Sequence, residues 1–130
     1  MQTREESAKH RSILVVDDDK AISKLIKYNL EDKGTQVFEA ATGFECMRVL
    51  REASIDLILL DIRLPDFNGW DILNLLKLTE QLQLIPVIVL SAEPPDMLLL
   101  NRFKPDDYIQ KPFEMRDLIS RIGNVIHQEV

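Results

Sequence analysis

Residues 57–70 read LILLDIRLPDFNGW. Four apolar residues in succession, Leu57-Ile58-Leu59-Leu60, run directly into one carboxylate, Asp61, and a loop follows that ends at Asn68 and Gly69. A strand apolar on consecutive rather than alternate positions is covered on both faces, as in a parallel sheet. Similar short runs flank this one: Ile13-Leu14-Val15-Val16, Val37-Phe38, Val87-Ile88-Val89-Leu90 and Tyr108-Ile109.

Helical periodicity fills the gaps between them. Ile22, Leu25, Ile26 and Leu30 recur at three- and four-residue steps, and Gly34 stands where a helix end favours a left-handed residue. Thr42 and Glu45 form a capping box ahead of Phe44, Met47 and Leu50, while Ile72, Leu73 and Leu76 follow Asn68 and Gly69. The clearest stripe is the last, Met115, Leu118, Ile119, Ile122, Val125 and Ile126. Between Ser91 and Asp106 only a short fourth helix fits, because Pro94-Pro95 must precede it or open it and Lys104-Pro105 stops it. Five strand-then-helix units with short right-handed crossovers predict a doubly wound α/β fold: a five-stranded parallel sheet in a three-layer α/β/α sandwich.

The whole chain has 130 residues, 45% hydrophobic and 29% charged, which is the size and mixture of one domain. Residues 1–11 are polar and read as a flexible arm, leaving 12–130 as the folded unit. No apolar run approaches the roughly 20 residues of a membrane span, and the first twelve residues lack the apolar stretch of a secretory signal. The expectation is a cytoplasmic protein with no membrane partner. A single cysteine, Cys46, excludes an intrachain disulfide, and with only His10 and His127 any metal must be oxygen-bound. Sixteen Lys+Arg against twenty-two Asp+Glu give a net charge of −6, which disfavours direct binding to nucleic acid.

Polar residues follow the apolar runs: Asp17-Asp18-Asp19 after the first, Asp61 after the third, Ser91 after the fourth and Lys111 after the fifth. In doubly wound sheets ligands bind beyond the carboxyl ends of the strands at the switch point, which for strand order 2-1-3-4-5 lies between strands one and three. That order brings Asp17, Asp18 and Asp61 together. Clustered carboxylates must raise their pKa values or gain a cation, and a hard divalent ion such as Mg2+ suits an all-oxygen set while leaving positions for phosphate oxygens. Lys111 adds positive charge for a phosphoryl group. Bland readings stand beside these. One of the three aspartates caps the first helix, but capping needs one carboxylate and explains neither Asp61 nor Lys111. Ser91 alone reads as a loop hydroxyl, Lys111 as a solvated lysine and Tyr108 as strand packing, while Cys46 and Met47 read as packing residues.

Taken together, ILVVDDD, LILLDIRLPDFNGW, VIVLSA and DDYIQKPF resemble, in order and spacing, the receiver domain of two-component response regulators. The resemblance spans residues 12–128 and implies a CheY-like, flavodoxin-like fold. It implies that Asp61 is the phosphoacceptor, and that Asp17, Asp18, Asp61 and the backbone carbonyl of Arg63 hold Mg2+. By the same resemblance Ser91 would contact phosphoryl oxygens, Lys111 would pair with phosphoryl charge, and Tyr108 would be the aromatic switch. Ala92 leaves the phosphoryl group room, and Pro65 and Gly69 match the loop after the acceptor. The implied partners are a sensor histidine kinase or histidine phosphotransfer protein and a downstream protein or linked effector, reached through the face of the fourth helix, fifth strand and fifth helix. The implied activity is a signalling switch that catalyses only its own phosphorylation and dephosphorylation. Arg63 and Glu93 stand where the family tunes access of water to the phosphoryl group. Asp107 and Arg121 match positions that pair across dimers in DNA-binding members, so both a monomer and a phosphorylation-dependent dimer are compatible.

The chain departs from the family at Lys104-Pro105, where Gly-Ala is usual, and in the proline-led segment with Met97-Leu98-Leu99-Leu100. Adjacent apolar residues point around a helix, so part of this run is expected on the surface. Two other functions compete. A haloacid-dehalogenase-like phosphatase would use Asp17-x-Asp19, but its lysine precedes its acidic pair and it leaves Asp61 without a role. A receiver-like interaction module would work without phosphorylation, although every chemical position here is filled.

Overall fold

The computed structural model describes residues 11–127, so the arm expected over residues 1–11 lies, except for Arg11, outside the described residues. The elements follow the expected alternation: β1 (Ser12–Val16), α1 (Lys20–Glu31), β2 (Gln36–Ala40), α2 (Gly43–Glu52), β3 (Leu57–Asp61), α3 (Gly69–Leu78), β4 (Val87–Ser91), α4 (Met97–Phe103), β5 (Asp107–Gln110) and α5 (Met115–His127). The five strands pair in parallel in the order β2-β1-β3-β4-β5.

Alternate residues of each central strand enter different cores, which is why the strands are apolar at successive positions. Leu14, Val16, Ile58, Leu60, Val87 and Val89 pack on the side of α2, α3 and α4. Ile13, Val15, Leu57, Leu59, Ile88 and Leu90 pack on the side of α1 and α5. All five residues of β3 and of β4 are buried. Truncating one of their leucines to alanine costs about 2–5 kcal/mol in such a setting.

Side chains at the helix starts satisfy backbone N–H groups that have no partner within the helix. Asp19 caps α1, accepting from the N–H groups of Ala21 and Ile22 at 3.0 and 3.3 Å. The Thr42 hydroxyl accepts from Glu45 N–H at 3.0 Å, while the Glu45 carboxylate reaches back past the cap to Ala41 N–H at 3.1 Å. Asn68 caps α3 and Asp96 caps α4. Gly34 takes the left-handed conformation expected of it, with φ 89°. Lys104 does the same with φ 51° at the end of α4, immediately before Pro105.

The helical stripes are narrower than the sequence periodicity predicts. Leu25 and Phe44 are 55% and 65% exposed, because α1 is buried along Ser23, Ile26 and Leu30 and α2 along Gly43, Cys46 and Leu50. Cys46 is buried, as expected, and burial above all, with the charge of Asp66 second, pushes its thiol up to about 12.

Asp66 ties the loop after β3 to the start of α2. Its carboxylate accepts from the N–H groups of Gly43 and Phe44 at 2.8 and 3.0 Å, an arrangement the helix dipole favours. Desolvation pushes this carboxyl up, but the N–H groups of Gly43, Phe44, Asp66 and Phe67 outweigh it and hold the pKa below the usual carboxylate value. A carboxyl lowered by folding adds stability that is present above its unfolded pKa and is lost as pH falls through the folded one. Asp66→Asn is therefore expected to melt lower than wild type at neutral pH. Thermal melts from pH 7 downward should show the two proteins converging below the usual carboxylate range; a constant difference across that range would refute the ionic contact.

Candidate functional site

The carboxyl ends of β1, β3, β4 and β5 meet at one edge of the sheet. Asp17 follows β1 and its N–H donates to Ala40 O at 3.0 Å, continuing the pairing with β2. Its side chain is buried, and Oδ1 accepts from Asp19 N–H at 2.9 Å. Asp61 ends β3 and is 7% exposed, with Oδ1 accepting from Arg63 N–H at 3.2 Å. Asp61 lies opposite Leu90 of β4, so Ser91 ends the neighbouring strand one residue further on. Lys111 follows β5 and its N–H donates to Ser91 O at 2.7 Å, with a cis bond to Pro112 behind it.

Lys111 Nζ lies 2.6 Å from Asp17 Oδ2 and 3.2 Å from Asp61 Oδ2. One ammonium thus bridges two buried carboxylates carried by different strands. Burial pushes the lysine's pKa down, but the hydrogen bond and charge of Asp17 and the charge and hydrogen bond of Asp61 outweigh it and leave the group above its ordinary value. Burial pushes Asp61 up, assisted by the negative charge of Asp17 and opposed by Arg63 N–H and Lys111. The Asp61 carboxyl is held above the usual carboxylate value.

Asp18 completes the cluster from the exposed side. One carboxylate oxygen from each of Asp17, Asp18 and Asp61 lies within 4.8 Å of the other two. Three carboxylates face one lysine, and Asp18 forms no ion pair among the described residues. An all-oxygen set with surplus negative charge fits a hard divalent cation such as Mg2+. The sequence thus brings Asp17, Asp18, Asp61 and Lys111 to one place, with Asp19 diverted to the helix cap.

The remaining expected residues surround this cluster. Ser91 is buried and its Oγ accepts from Glu93 N–H at 3.1 Å. Tyr108 is half-buried, and its hydroxyl donates to Glu93 O at 2.7 Å. Arg63 forms an isolated antiparallel bridge with Asn68, and its guanidinium pairs with the Glu93 carboxylate. That pair links the loop after β3 to the loop after β4. Sequence reading placed Arg63 and Glu93 at equal offsets from Asp61 and Ser91 without revealing that their opposite charges meet.

Gly69 is confined by this loop. Its N–H donates to Ile62 O at 2.7 Å, and a Cβ here would stand 2.6 Å from Asp61 O and 2.7 Å from Ile62 Cα. Both are backbone atoms, so no side chain can yield. Asp107 and Arg121 bond within the chain, with Arg121 Nη1 3.1 Å from Asp107 Oδ1 and 3.1 Å from Tyr108 O.

A family profile described as the response regulator receiver domain matches residues 13–123. The chain belongs to this family. The receiver is 40% identical over 118 residues to the transcriptional regulatory protein CpxR of Escherichia coli K12, covering 89% of this chain and 49% of that protein. It thus spans about half the length of the curated relatives it matches. Among solved structures, the receiver domain of the Francisella response regulator 1452 superposes with a TM-score of 0.82 at 31% identity, covering 93% of this chain and all of that one. The beryllofluoride-activated DrrB receiver domain superposes at 0.79 with 31% identity, over 91% of this chain and 98% of that one. The receiver fold and the CheY-like strand order expected from the sequence are therefore those of the protein. No helix among the described residues is long and apolar enough to cross a membrane.

Surplus negative charge in the receiver's cluster leads to a measurable consequence. Asp18→Asn should raise the melting temperature without metal, by relief of repulsion on the order of 0.5 kcal/mol, and should reduce the additional stabilisation by Mg2+. Thermal melts with Mg2+ and with chelator test both effects. A variant that melts lower without metal and keeps the full Mg2+ response would contradict the clustering.

Proposed function

We propose that this receiver takes a phosphoryl group on Asp61 from the phosphohistidine of a sensor histidine kinase or histidine phosphotransfer protein. The observation that carries this reading is the Lys111 ammonium between Asp17 and Asp61, with Asp18 close enough for all three carboxylates to share a cation. A carboxylate oxygen of Asp61 attacks phosphorus, the phosphorus–nitrogen bond breaks, and the imidazole of the donor leaves. Lys111 supports the nucleophile in its ionised form beforehand and pairs with phosphoryl oxygens afterwards. When bound by Asp17, Asp18, Asp61 and the backbone carbonyl of Arg63, Mg2+ supplies positive charge toward the same oxygens. The product is an acyl phosphate, whose hydrolysis regenerates the carboxylate and releases inorganic phosphate.

The Ser91 hydroxyl leaves Glu93 N–H for a phosphoryl oxygen, and Tyr108, held to the carbonyl of that same residue, senses the change. The affected surface is α4, β5 and α5. The receiver acts in the cytoplasm on a downstream protein or on a linked effector domain; the relatives it matches are transcriptional regulatory proteins about twice as long. The phosphatase reading would take Asp17 as nucleophile and leave Asp61, buried at the end of β3, without a role.

The intact mass of the protein after acetyl phosphate and Mg2+ tests this function. One phosphoryl adduct is expected on wild type, none on Asp61→Asn and none with the metal chelated. If acetyl phosphate and candidate histidine kinases all fail to phosphorylate wild type, the chain is a phosphorylation-independent interaction module. We further propose that the Arg63–Glu93 pair, which joins the loops after β3 and β4, shields the phosphoryl group from water. Arg63→Ala should shorten the life of the adduct several-fold while leaving its site unchanged, and an unaltered decay rate would rule the shield out.

A further inference from the structure

The single tryptophan, Trp70, lies where the acceptor loop becomes α3, and its ring contacts the two other elements expected to respond. Its indole is 8% exposed. It stacks on Phe103, the last residue of α4, with centroids 5.3 Å apart and planes at 21°. It also stacks on Tyr108 of β5 at 6.3 Å and 16°. Offset aromatic faces at these separations attract and resist sliding apart.

Trp70 is also joined to Asp61 without slack. It directly follows Gly69, whose N–H is bonded to Ile62 O and whose α-carbon leaves no space for a methyl group beside the backbone of Asp61 and Ile62. Its own N–H is held by Asn68 Oδ1 at 2.8 Å, and Asn68 in turn bridges to Arg63. A shift at the end of β3 is therefore passed to residues 69 and 70, because close-packed backbone transmits displacement instead of absorbing it.

The far side of the stack is able to move. None of the seven residues of α4 is buried, and this helix packs on the core through the partly buried Leu99, Leu100 and Phe103. A cavity of about 280 Å³ lies beside the indole, lined by Ile62, Ser91, Glu93, Leu99 and Tyr108 among others. It offers room for α4 and the aromatic rings to rearrange.

We propose that Trp70 is a positioning residue that transmits the state of Asp61 to α4 and β5 through its stacked contacts with Phe103 and Tyr108. This is a second connection beside the Ser91 hydroxyl, and it differs in its path: along the acceptor loop and α3 rather than across the β4 loop. It rests on the reading of Asp61 as phosphoacceptor, whose regulation it deepens.

The test uses beryllofluoride with Mg2+, the fluoride complex carried by the activated DrrB receiver domain. Backbone amide NMR shifts of Asp17 and Asp61 report loading, and those of Met97–Phe103 and Asp107–Gln110 report transmission. Wild type should load and shift at both places. Trp70→Leu should still load, as read at Asp17 and Asp61, and should lose most of the shift in α4, while β5 keeps the part carried by the Ser91 hydroxyl and Tyr108. Phe103→Leu should also load normally, losing the shift in α4 while keeping that in β5; it preserves the test if Trp70→Leu does not fold. A full α4 response in folded Trp70→Leu, or in Phe103→Leu, overturns the inference. Failure of wild type to load would instead overturn the reading of Asp61, and this inference with it.

Discussion

Central parallel strands buried on both faces leave their ends as the place where polar side chains can emerge without an unpaired group in the core. β3 and β4 are closed to solvent along their full length. Asp61 and Ser91 are the last residues of those strands, while Asp17 and Lys111 stand one position beyond theirs. Because all strands run the same way, these side chains arrive at the same edge. An antiparallel arrangement would send alternate ends to opposite edges, dispersing the same residues.

The cost of that convergence is electrostatic. Asp17 and Asp61 are buried, and carboxylates so placed repel each other and lose hydration. Lys111 offsets part of this by reaching both, so its position follows from the same crowding that raises the Asp61 pKa. Asp18 remains outside that bridge and adds the surplus charge that makes an oxygen-coordinated divalent ion a suitable partner. Stability and ligand affinity are thereby opposed at the site, which is a common condition of functional clusters.

The loops around this edge are fastened to unequal degrees. The loop after β3 is secured by Asp66 to α2, by Asn68 to Arg63 and by Gly69 to Ile62. The loop after β4 is held to it by the Arg63–Glu93 pair, and to Tyr108 through Glu93 O. Beyond that lies α4, short and without a buried residue, with Met97 and Leu98 66% and 81% exposed. Part of the apolar run in this helix thus lies on the surface, as its consecutive placement predicts. Rigid attachment near Asp61 and weak attachment at α4 suit the proposed switch, since a part that changes must have little local stability to lose.

Much of this was legible in the residues because period and position are local properties. Consecutive apolar positions identified strands covered on both faces, and carboxyl-end placement put Asp17, Asp61, Ser91 and Lys111 at one edge of the sheet. The capping role of Asp19 could be anticipated as belonging to one of three aspartates, but which one depended on where α1 begins, at Lys20. Exposure of Leu25 and Phe44 was not legible either, since a stripe of apolar residues does not specify how much of it a neighbouring sheet covers. The contact of Asp66 with α2, the pairing of Arg63 with Glu93 and the stacking of Trp70 on Phe103 and Tyr108 join residues from different loops and elements. Sequence alone determined the order of elements and the chemical groups at the strand ends, because backbone periodicity and hydrophobic burial act over short spans. Tertiary structure alone decided which of those groups touch, because separations of a few ångströms across a sheet edge depend on the packing of the entire domain.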